Sequence, residues 1–295
     1  MAKNTRQKEN QTQTETTGHE WDGIEEYNNP LPLWGLWVFA ATVVFSIGYV
    51  IYFPAIPFLN SFSKGIGEWS QYKQLDDIMQ KAEQAKAPFE NKIVHLSAQQ
   101  IKNTPDLHQY ALESGKATFA LHCSQCHGAG GGGAKGYPNL LDDEWIWGGR
   151  LEDIVYTITH GIRSAHEDEN SRDMGPMMAY GDEEILDKAQ IKDVAHYLQT
   201  LSKKYLKPNE STERGKVIYA ENCASCHGEQ GSGSQELGAP SLNNAIWLYA
   251  GDTKTIIETI THGRAGQMPA FGQKLSENDI KKLSLYIHSL SGGEQ

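Results

Sequence analysis

The sequence has few cysteines and no excess of positive charge. Cysteine accounts for only 4 of 295 residues, and 26 lysines and arginines stand against 37 aspartates and glutamates, a formal net charge of -11. This acidic balance argues against nucleic acid as a partner and permits a basic protein partner. The glycine-rich stretches at residues 128–136 and 228–233 lack the G-x-x-x-x-G-K-S/T pattern of a phosphate-binding loop. Neither nucleic-acid binding nor phosphate binding is therefore expected.

The four cysteines lie in two Cys-x-x-Cys-His motifs that are one hundred residues apart: Cys123, Cys126 and His127 in the first motif, and Cys223, Cys226 and His227 in the second motif. This motif is typical of covalent haem c attachment. Two thiols three positions apart lie about one helical turn from each other, so both can form thioethers to one porphyrin. The histidine that follows can then bind the iron as its proximal ligand. The sequence predicts two covalently bound haems c, with the two glycine-rich stretches as loops that turn closely around the porphyrins.

Other uses of the cysteines explain less of the pattern. A four-cysteine zinc site has much shorter spacing between its two pairs. A thioredoxin-like redox motif needs neither a second copy nor the histidine. Disulfides are possible in an exported chain but leave both histidines unexplained. Because every cysteine is assigned to haem, none is left for a copper site.

Only one long segment lacks charge. Residues 33–53 form a run of twenty-one uncharged residues, about the length that a helix needs to cross a bilayer. Trp34 and Trp37 at one end, and Tyr49 and Tyr52 at the other, resemble interfacial aromatic belts. A signal peptide is disfavoured because about thirty polar residues come first and no small-residue cleavage site follows. We predict a retained single-pass membrane anchor.

The charges around this segment give weak evidence of its orientation in the membrane. Lys3, Arg6 and Lys8 precede it, whereas Lys64 and Lys73 follow it, which slightly favours a cytoplasmic N-terminus. Covalent haem c attachment in bacteria is expected on the periplasmic side. We therefore expect a protein of the bacterial inner membrane with its N-terminus in the cytoplasm and its haem domains in the periplasm.

The chain beyond residue 108 contains two copies of one small domain. Matching features recur in order: Gly115 and Gly215, Trp145 and Trp247, His160 and His262, the methionine-containing stretches 177–181 and 268–272, and Tyr197 and Tyr286. The predicted fold is all-α, with a single transmembrane helix followed by two tandem class I cytochrome c domains. The predicted divisions are a polar tail (1–30), the anchor (31–59), a linker with a short helix at 74–87 (60–108), and two cytochrome c domains (109–206 and 207–295).

Each copy is expected to hold three main helices around its motif. An opening helix starts at Tyr110 or Glu213 and ends at the motif. Middle helices are predicted at about 151–161 and 253–263, and closing helices at about 187–202 and 277–290.

Methionine is the expected sixth ligand of each iron. Methionine ligation raises the reduction potential relative to bis-histidine ligation. Met268 is the only methionine after the second motif, and it lies in a proline-containing loop. The first copy offers Met174, Met177 and Met178, of which the repeat alignment selects Met177. The recurring residues His160 and His262 remain rival ligands.

The copies differ by an insertion. Gly161 and Met177 are sixteen positions apart, whereas Gly263 and Met268 are five apart, so the first copy carries eleven extra residues. This acidic stretch is either a tolerated surface loop or an element that tunes the first haem or docks a partner. Arg163 and Arg264 are candidates for haem propionate contacts or for ordinary surface salt bridges.

The chain closely resembles the dihaem subunit (subunit III) of cbb3-type cytochrome c oxidase, the CcoP/FixP family, from about residue 18 to its end. The stretch WDGIEEYNNPLP at residues 21–32 looks like the signature ahead of that family's membrane helix. The resemblance implies an electron-transfer subunit of aerobic respiration. It would take electrons from donor cytochromes and pass them, through a monohaem subunit, to a haem–copper subunit that reduces oxygen.

Carried over by position, the resemblance implies one ligand set for each haem: Cys123, Cys126, His127 and Met177 for the first, and Cys223, Cys226, His227 and Met268 for the second. No residue of this chain is expected to be catalytic.

A free-standing membrane-anchored dihaem shuttle would share every haem feature. A dihaem peroxidase would need an open haem, which the two matched methionine loops argue against.

Overall fold

The computed structural model describes residues 14–202 and 208–291. The chain divides into two units, Met1–Gln84 and Ala85–Gln295. Its described part is mostly helical, as predicted, with one short two-stranded sheet. The first half of the predicted polar tail, and the predicted boundary between residues 206 and 207, lie outside the described residues.

The first unit contains a hairpin that the sequence interpretation missed. Strands β1 (Thr16–Trp21) and β2 (Ile24–Tyr27) pair antiparallel, with Trp21 opposite Ile24. Asp22 and Gly23 connect them with φ angles of 47° and 86°. Both residues are left-handed, as a two-residue Asp-Gly hairpin turn requires. The predicted tail thus contains ordered structure directly before the apolar helix.

Helix α1 (Leu33–Tyr52) agrees with the predicted anchor. It starts after Pro32, which cannot donate a backbone hydrogen bond, and ends at Phe53. None of its residues is buried, and it is the one described helix long and apolar enough to cross a membrane. An apolar helix with no buried face satisfies its backbone internally and exposes its side chains on all sides, as a lipid-facing helix does.

Two helices lie between α1 and the repeats in the chain. Helix α2 (Gln71–Ile93) extends the predicted helix at both ends and contains Pro88. Helix α3 (Ala98–Lys102) begins with a capping box between Ser97 and Gln100. The far end of α2 is fixed in the second unit, where Phe89 stacks on Tyr110 at 4.6 Å between ring centroids.

The repeats contain eight described helices. In chain order they are α4 (Pro105–His122), α5 (Ser124–His127), α6 (Leu151–His160), α7 (Lys188–Leu201), α8 (Glu210–Asn222), α9 (Ala224–His227), α10 (Thr253–His262) and α11 (Glu277–Ser291). The middle and closing helices lie within about two residues of their predicted bounds. The opening helices start earlier than predicted, because Pro105 occupies the first turn of α4 and Asn209 caps α8.

The closing helices are exchanged between the two copies. Helix α11, from the end of the second copy, packs against α4 and α6 of the first copy, while α7 packs against α8 and α10 of the second. We call α4, α5, α6 and α11 the first group, and α8, α9, α10 and α7 the second group. Each group therefore combines the motif of one copy with the closing helix of the other.

A glycine makes each exchanged helix contact possible. A Cβ on Gly115 of α4 would collide with the Lys282 carbonyl and lie 2.8 Å from Cβ of Tyr286, both on α11. A Cβ on Gly215 of α8 would collide with the Asp193 carbonyl on α7. The recurring glycines and tyrosines of the repeat therefore meet across the copies.

Each group has its own apolar core. In the first group, Phe119 of α4 packs with Ile154 of α6 and Leu283 of α11. In the second group, Tyr219 of α8 packs with Val194 of α7. A fully buried side chain of this size contributes roughly 1.5–3 kcal/mol relative to an exposed one, so the exchanged helices are integral to both cores.

The chain crosses over directly after the middle helices. Gly161 and Gly263 end these helices with φ angles of 71° and 65°. The backbone of Ile162 then exchanges hydrogen bonds of 2.9 and 3.0 Å with Met268, and Met177 exchanges two with Arg264. These pairings carry each methionine loop to the middle helix of the other copy.

Candidate functional site

Each motif starts where an opening helix ends. The Cys123 amide donates to the Phe119 carbonyl at 2.9 Å, and the Cys223 amide donates to the Tyr219 carbonyl at 2.8 Å. The four-residue helices α5 and α9 follow and carry the rest of each motif. The two cysteines of each motif are therefore held about one helical turn apart, as the predicted attachment requires.

The cysteines of each motif differ in exposure. Cys123 is buried and Cys223 half-buried, whereas Cys126 and Cys226 are exposed, and no disulfide joins any of the four. Burial, assisted by the second cysteine of the motif, raises the pKa of Cys123 and of Cys223 to about 11. Each motif thus has one cysteine toward a core and one at the surface.

The histidines are oriented in the same way in both motifs. His127 Nδ1 lies 2.9 Å from the Pro138 carbonyl oxygen, and His227 Nδ1 lies 2.9 Å from the Pro240 carbonyl oxygen. A carbonyl only accepts, so Nδ1 carries the proton and Nε2 keeps its lone pair for a metal. Burial lowers the pKa of both histidines, against a smaller opposing effect of these hydrogen bonds. Both rings are neutral and fixed in the ligand tautomer.

The glycine-rich loops bring these prolines to the histidines. Gly133 and Gly233 have φ angles of 68° and 79°, and a Cβ on either would lie within 2.7 Å of backbone atoms across the turn. The amide of Gly133 also donates to the His127 carbonyl at 2.7 Å. Glycine is required here because the returning chain passes so close.

Met177 and Met268 each pack beside the motif of the other copy. Met268 packs against the first-group core that contains Cys123, and Met177 packs against the second-group core beside Cys223. Met174 and Met178 are 61% and 49% exposed. The crossover after the middle helices therefore brings Met268 near the first motif and Met177 near the second.

The rival histidines pair with carboxylates. His160 Nδ1 lies 2.8 Å from Oδ2 of Asp168 in the insertion, and His262 Nδ1 lies 2.8 Å from Oδ2 of Asp182. Asp182 follows Met177 in the first copy, so the second pair again links the two copies. Both pairs lie at the ends of middle helices, outside the two core clusters that receive the methionines.

The two recurring arginines have partners within the protein. Arg163 Nε donates to the Gly266 carbonyl at 2.6 Å. Arg264 forms a salt bridge with Glu258 at 3.2 Å, and its guanidinium lies 4.2 Å from the ring centre of Tyr249. For Arg264 the structure thus shows the surface salt bridge that the sequence left as an alternative.

Among the described residues, three buried polar side-chain atoms have no hydrogen-bond partner, and one of them lies beside the second-group core. Nε1 of Trp247, next to the second-group core, is buried without a hydrogen bond. Such an orphaned donor costs about 1–3 kcal/mol unless an acceptor reaches it. A carboxylate of a bound group would satisfy it, so the polar lining also fits a haem with its propionates.

Two functional contacts were not predicted from the sequence. Glu144 accepts from the Ser241 amide at 3.0 Å and from the Asn244 side chain, and so fixes the loop whose Pro240 carbonyl orients His227. The Tyr180 hydroxyl donates to the Asn222 carbonyl at 2.6 Å and ties the Met177 loop to the end of α8. A local pattern cannot reveal either contact, because both join different copies.

Replacing Tyr180 with phenylalanine should loosen the Met177 loop. Tyr180→Phe removes the hydroxyl that bonds to Asn222, and a net loss of about 1 kcal/mol in unfolding free energy is expected. Chemical denaturation, followed by circular dichroism, measures this loss. Phe271 is the matching residue of the other methionine loop, so Phe271→Tyr serves as a control that should not reproduce it. Unchanged stability of Tyr180→Phe would contradict an energetic role for this bond.

Three family descriptions match this chain along its length. The N-terminal domain of cytochrome oxidase-cbb3, FixP, matches residues 13–60. Cytochrome c matches residues 112–202, and cytochrome C oxidase, cbb3-type, subunit III, matches residues 210–287. The matches cover the hairpin, the apolar helix and both copies of the repeat.

Curated relatives match over nearly the full chain. The cbb3-type cytochrome c oxidase subunit FixP of Azorhizobium caulinodans is 47% identical, over 95% of this chain and 94% of the relative. The CcoP subunits of Cereibacter sphaeroides and Azospirillum brasilense are 44% and 43% identical, each over 95% of this chain and over 95% and 96% of the relative.

Proposed function

Because this chain belongs to the CcoP/FixP family of cbb3-type cytochrome c oxidase subunits, we propose that each of its two Cys-x-x-Cys-His motifs holds one covalently bound haem c. The resemblance predicted from the sequence is confirmed. The chain is an electron-transfer subunit of respiratory electron transport, it contains two cytochrome c domains, and haem c is its cofactor. Haem c supplies one-electron redox chemistry.

The observation that carries this proposal is the matched orientation of His127 and His227. Each donates Nδ1–H to a proline carbonyl and keeps Nε2 free. A second partner that fixes the tautomer in this way is typical of a metal-bound histidine. In each motif the two thiols lie beside this histidine and would form the thioethers. His127 and His227 are the proposed proximal ligands.

The methionine side chains suggest a crossed ligand set. We assign Met268 to the iron of the first motif and Met177 to that of the second, because each packs against the core that contains or adjoins the respective motif. This assignment keeps all four predicted axial ligands and reverses the pairing of the methionines. Met174 and Met178 pack against neither of these two cores.

The same proposal gives the subunit its place in the complex. Helix α1 spans the bacterial inner membrane among lipid, with the N-terminus cytoplasmic and the haem groups periplasmic. The partners are a donor cytochrome c, a monohaem c subunit and the haem–copper subunit that reduces oxygen. No residue of this chain catalyses a reaction itself. Co-purification of the detergent-solubilised chain with a haem–copper subunit would support this place, and recovery without any partner would count against it.

The haem content of the purified chain tests the two attachment sites. We expect two haems c per chain, both retained after denaturing electrophoresis because they are covalent. Replacing both Cys123 and Cys126 with alanine should leave one, held by the second motif. Gln125→Ala changes an exposed residue inside the first motif and should leave both. Haem extracted by acid and acetone from the unmodified protein would contradict covalent attachment.

A further inference from the structure

The insertion in the first copy folds back on its own start. The Arg172 amide donates to the Gly161 carbonyl at 3.1 Å, and the Arg163 amide donates to the Arg172 carbonyl at 2.9 Å. The extra residues are therefore closed into a loop at the end of α6. One carboxylate of this loop, Glu167, reaches the methionine loop of the other copy.

Glu167 makes three contacts with the methionine loop of the other copy and one contact within its own loop. Its Oε2 accepts from the Ala270 amide at 2.9 Å, two residues after Met268, and from the Ser164 hydroxyl at 2.9 Å. Its Oε1 lies 3.3 Å from the Lys274 ammonium, and its carbonyl accepts from the Gln273 side chain at 3.2 Å. The hydrogen bond from Ala270 is the main reason that the pKa of Glu167 lies below its usual value.

The Met177 loop is secured by a different group. Both methionine loops share three backbone bonds. Two are those that each methionine exchanges with Ile162 or Arg264, and the third runs from Gly272 to Thr159 in one case and from Gly181 to Thr261 in the other. Beyond these bonds, the Met177 loop has the Tyr180 hydroxyl on the Asn222 carbonyl. Phe271 stands at the position of Tyr180 and has no hydroxyl. The second copy also has no insertion. The Met268 loop therefore lacks a bond like that of the Tyr180 hydroxyl, and it is held instead by the Glu167 carboxylate of the first copy.

We propose that Glu167 is a positioning residue that holds the Met268 loop closed and keeps the Met268 sulfur at the iron. This inference rests on the proposed role of Met268 as an axial ligand. A carboxylate that accepts from a backbone amide makes one of the stronger protein hydrogen bonds. The insertion is then an element that makes the two haems of this subunit unequal, since only one methionine loop depends on it.

Imidazole binding to the ferric, full-length holoprotein tests this role. Imidazole can bind the iron only when the methionine leaves, so its affinity reports how easily the loop opens. Glu167→Ala should increase the imidazole affinity of one haem about tenfold, the change expected when a hydrogen bond to a charged group is lost. Glu167→Gln should restore most of the unmodified behaviour, because its amide oxygen can still accept from Ala270.

Two further variants distinguish the effect of the Glu167 side-chain length from the effect of its charge. Glu167→Asp keeps the charge but shortens the side chain, so it should behave like Glu167→Ala. Glu169→Ala removes a charge from an exposed residue of the same loop and should leave imidazole binding unchanged. An effect of Glu169→Ala equal to that of Glu167→Ala would overturn the positioning role in favour of a general charge effect.

Met268→Ala distinguishes failure of this inference from failure of the ligand assignment. If Met268→Ala opens one haem to imidazole while Glu167→Ala and Glu167→Asp do not, the positioning role is overturned and the ligand assignment stands. If Met268→Ala leaves imidazole binding unchanged, Met268 is not a ligand and both proposals fall.

Discussion

Met268→Ala is expected to open the haem of the first motif, and not that of the second, to carbon monoxide. Met268 packs against the core that contains Cys123, although it follows the second motif in the sequence. Without its sulfur the first haem would be five-coordinate and open to small ligands when reduced. Its reduction potential should also fall, since methionine ligation raises it.

Single-haem proteins assign the effect to one motif. In a full-length chain with Cys223 and Cys226 replaced by alanine, only the first haem remains. There Met268→Ala should allow carbon monoxide binding and Met177→Ala should not. With Cys123 and Cys126 replaced instead, the two methionines should exchange their effects. Met178→Ala, at a half-exposed position, should not allow carbon monoxide binding in either single-haem protein.

One result would contradict the crossed assignment of the methionines. If Met177→Ala opens the first haem, each copy supplies its own methionine and the crossed assignment is wrong. Where a single-haem chain does not accumulate, nuclear Overhauser effects from the shifted methionine methyls of the reduced two-haem protein give the same information. The Met268 methyl should then be close to Phe119 and Ile154 of the first group, with which its core is built.

Gly115→Ala is expected to destabilise the first group by about 3 kcal/mol, at the upper end for overpacking. The new methyl would collide with the Lys282 carbonyl and lie 2.8 Å from Cβ of Tyr286. Both belong to α11, whose backbone must shift to make room. Denaturation of the holoprotein measures the loss, and hydrogen exchange shows where the loss occurs.

Hydrogen exchange makes this substitution a test of the exchanged helices. Faster exchange is expected in α11, at the end of the chain, while α7 stays protected. Faster exchange in α7 instead would indicate that each copy packs on its own closing helix. Gly130→Ala is the matched control, because no atom lies within 4 Å of a Cβ at that position, and it should change little.

Much of the local structure could be predicted because it depends on short patterns. The middle and closing helices follow from apolar residues at helical spacing, and helices α6 and α10 end at Gly161 and Gly263. The haem motifs followed from residue type and spacing, and the repeat alignment selected Met177 as a candidate ligand beside Met268. The Asp22-Gly23 turn was a readable hairpin signal, but the polar composition around it favoured a tail.

The exchange of closing helices was not predicted, because it leaves every local pattern unchanged. Tyr197 and Tyr286 are equivalent in the repeat. The sequence pattern is therefore the same whichever of them packs against Gly115 and whichever against Gly215. One signal did favour the observed pairing. Helices α7 and α8 are consecutive and joined by a short connection, and consecutive elements are usually neighbours in space. The contacts of Glu144 and Glu167 could not be inferred, since both depend on that long-range arrangement.

The exchange also sets an order in which the two halves of the repeat region can be completed during synthesis. A ribosome releases α7, α8, α9 and α10 before α11, so the second group has all its helices while the first still lacks one. The motif that is translated first is therefore enclosed last. A chain that terminates before Glu277 would keep all four helices of the second group, whereas the first group would lack α11.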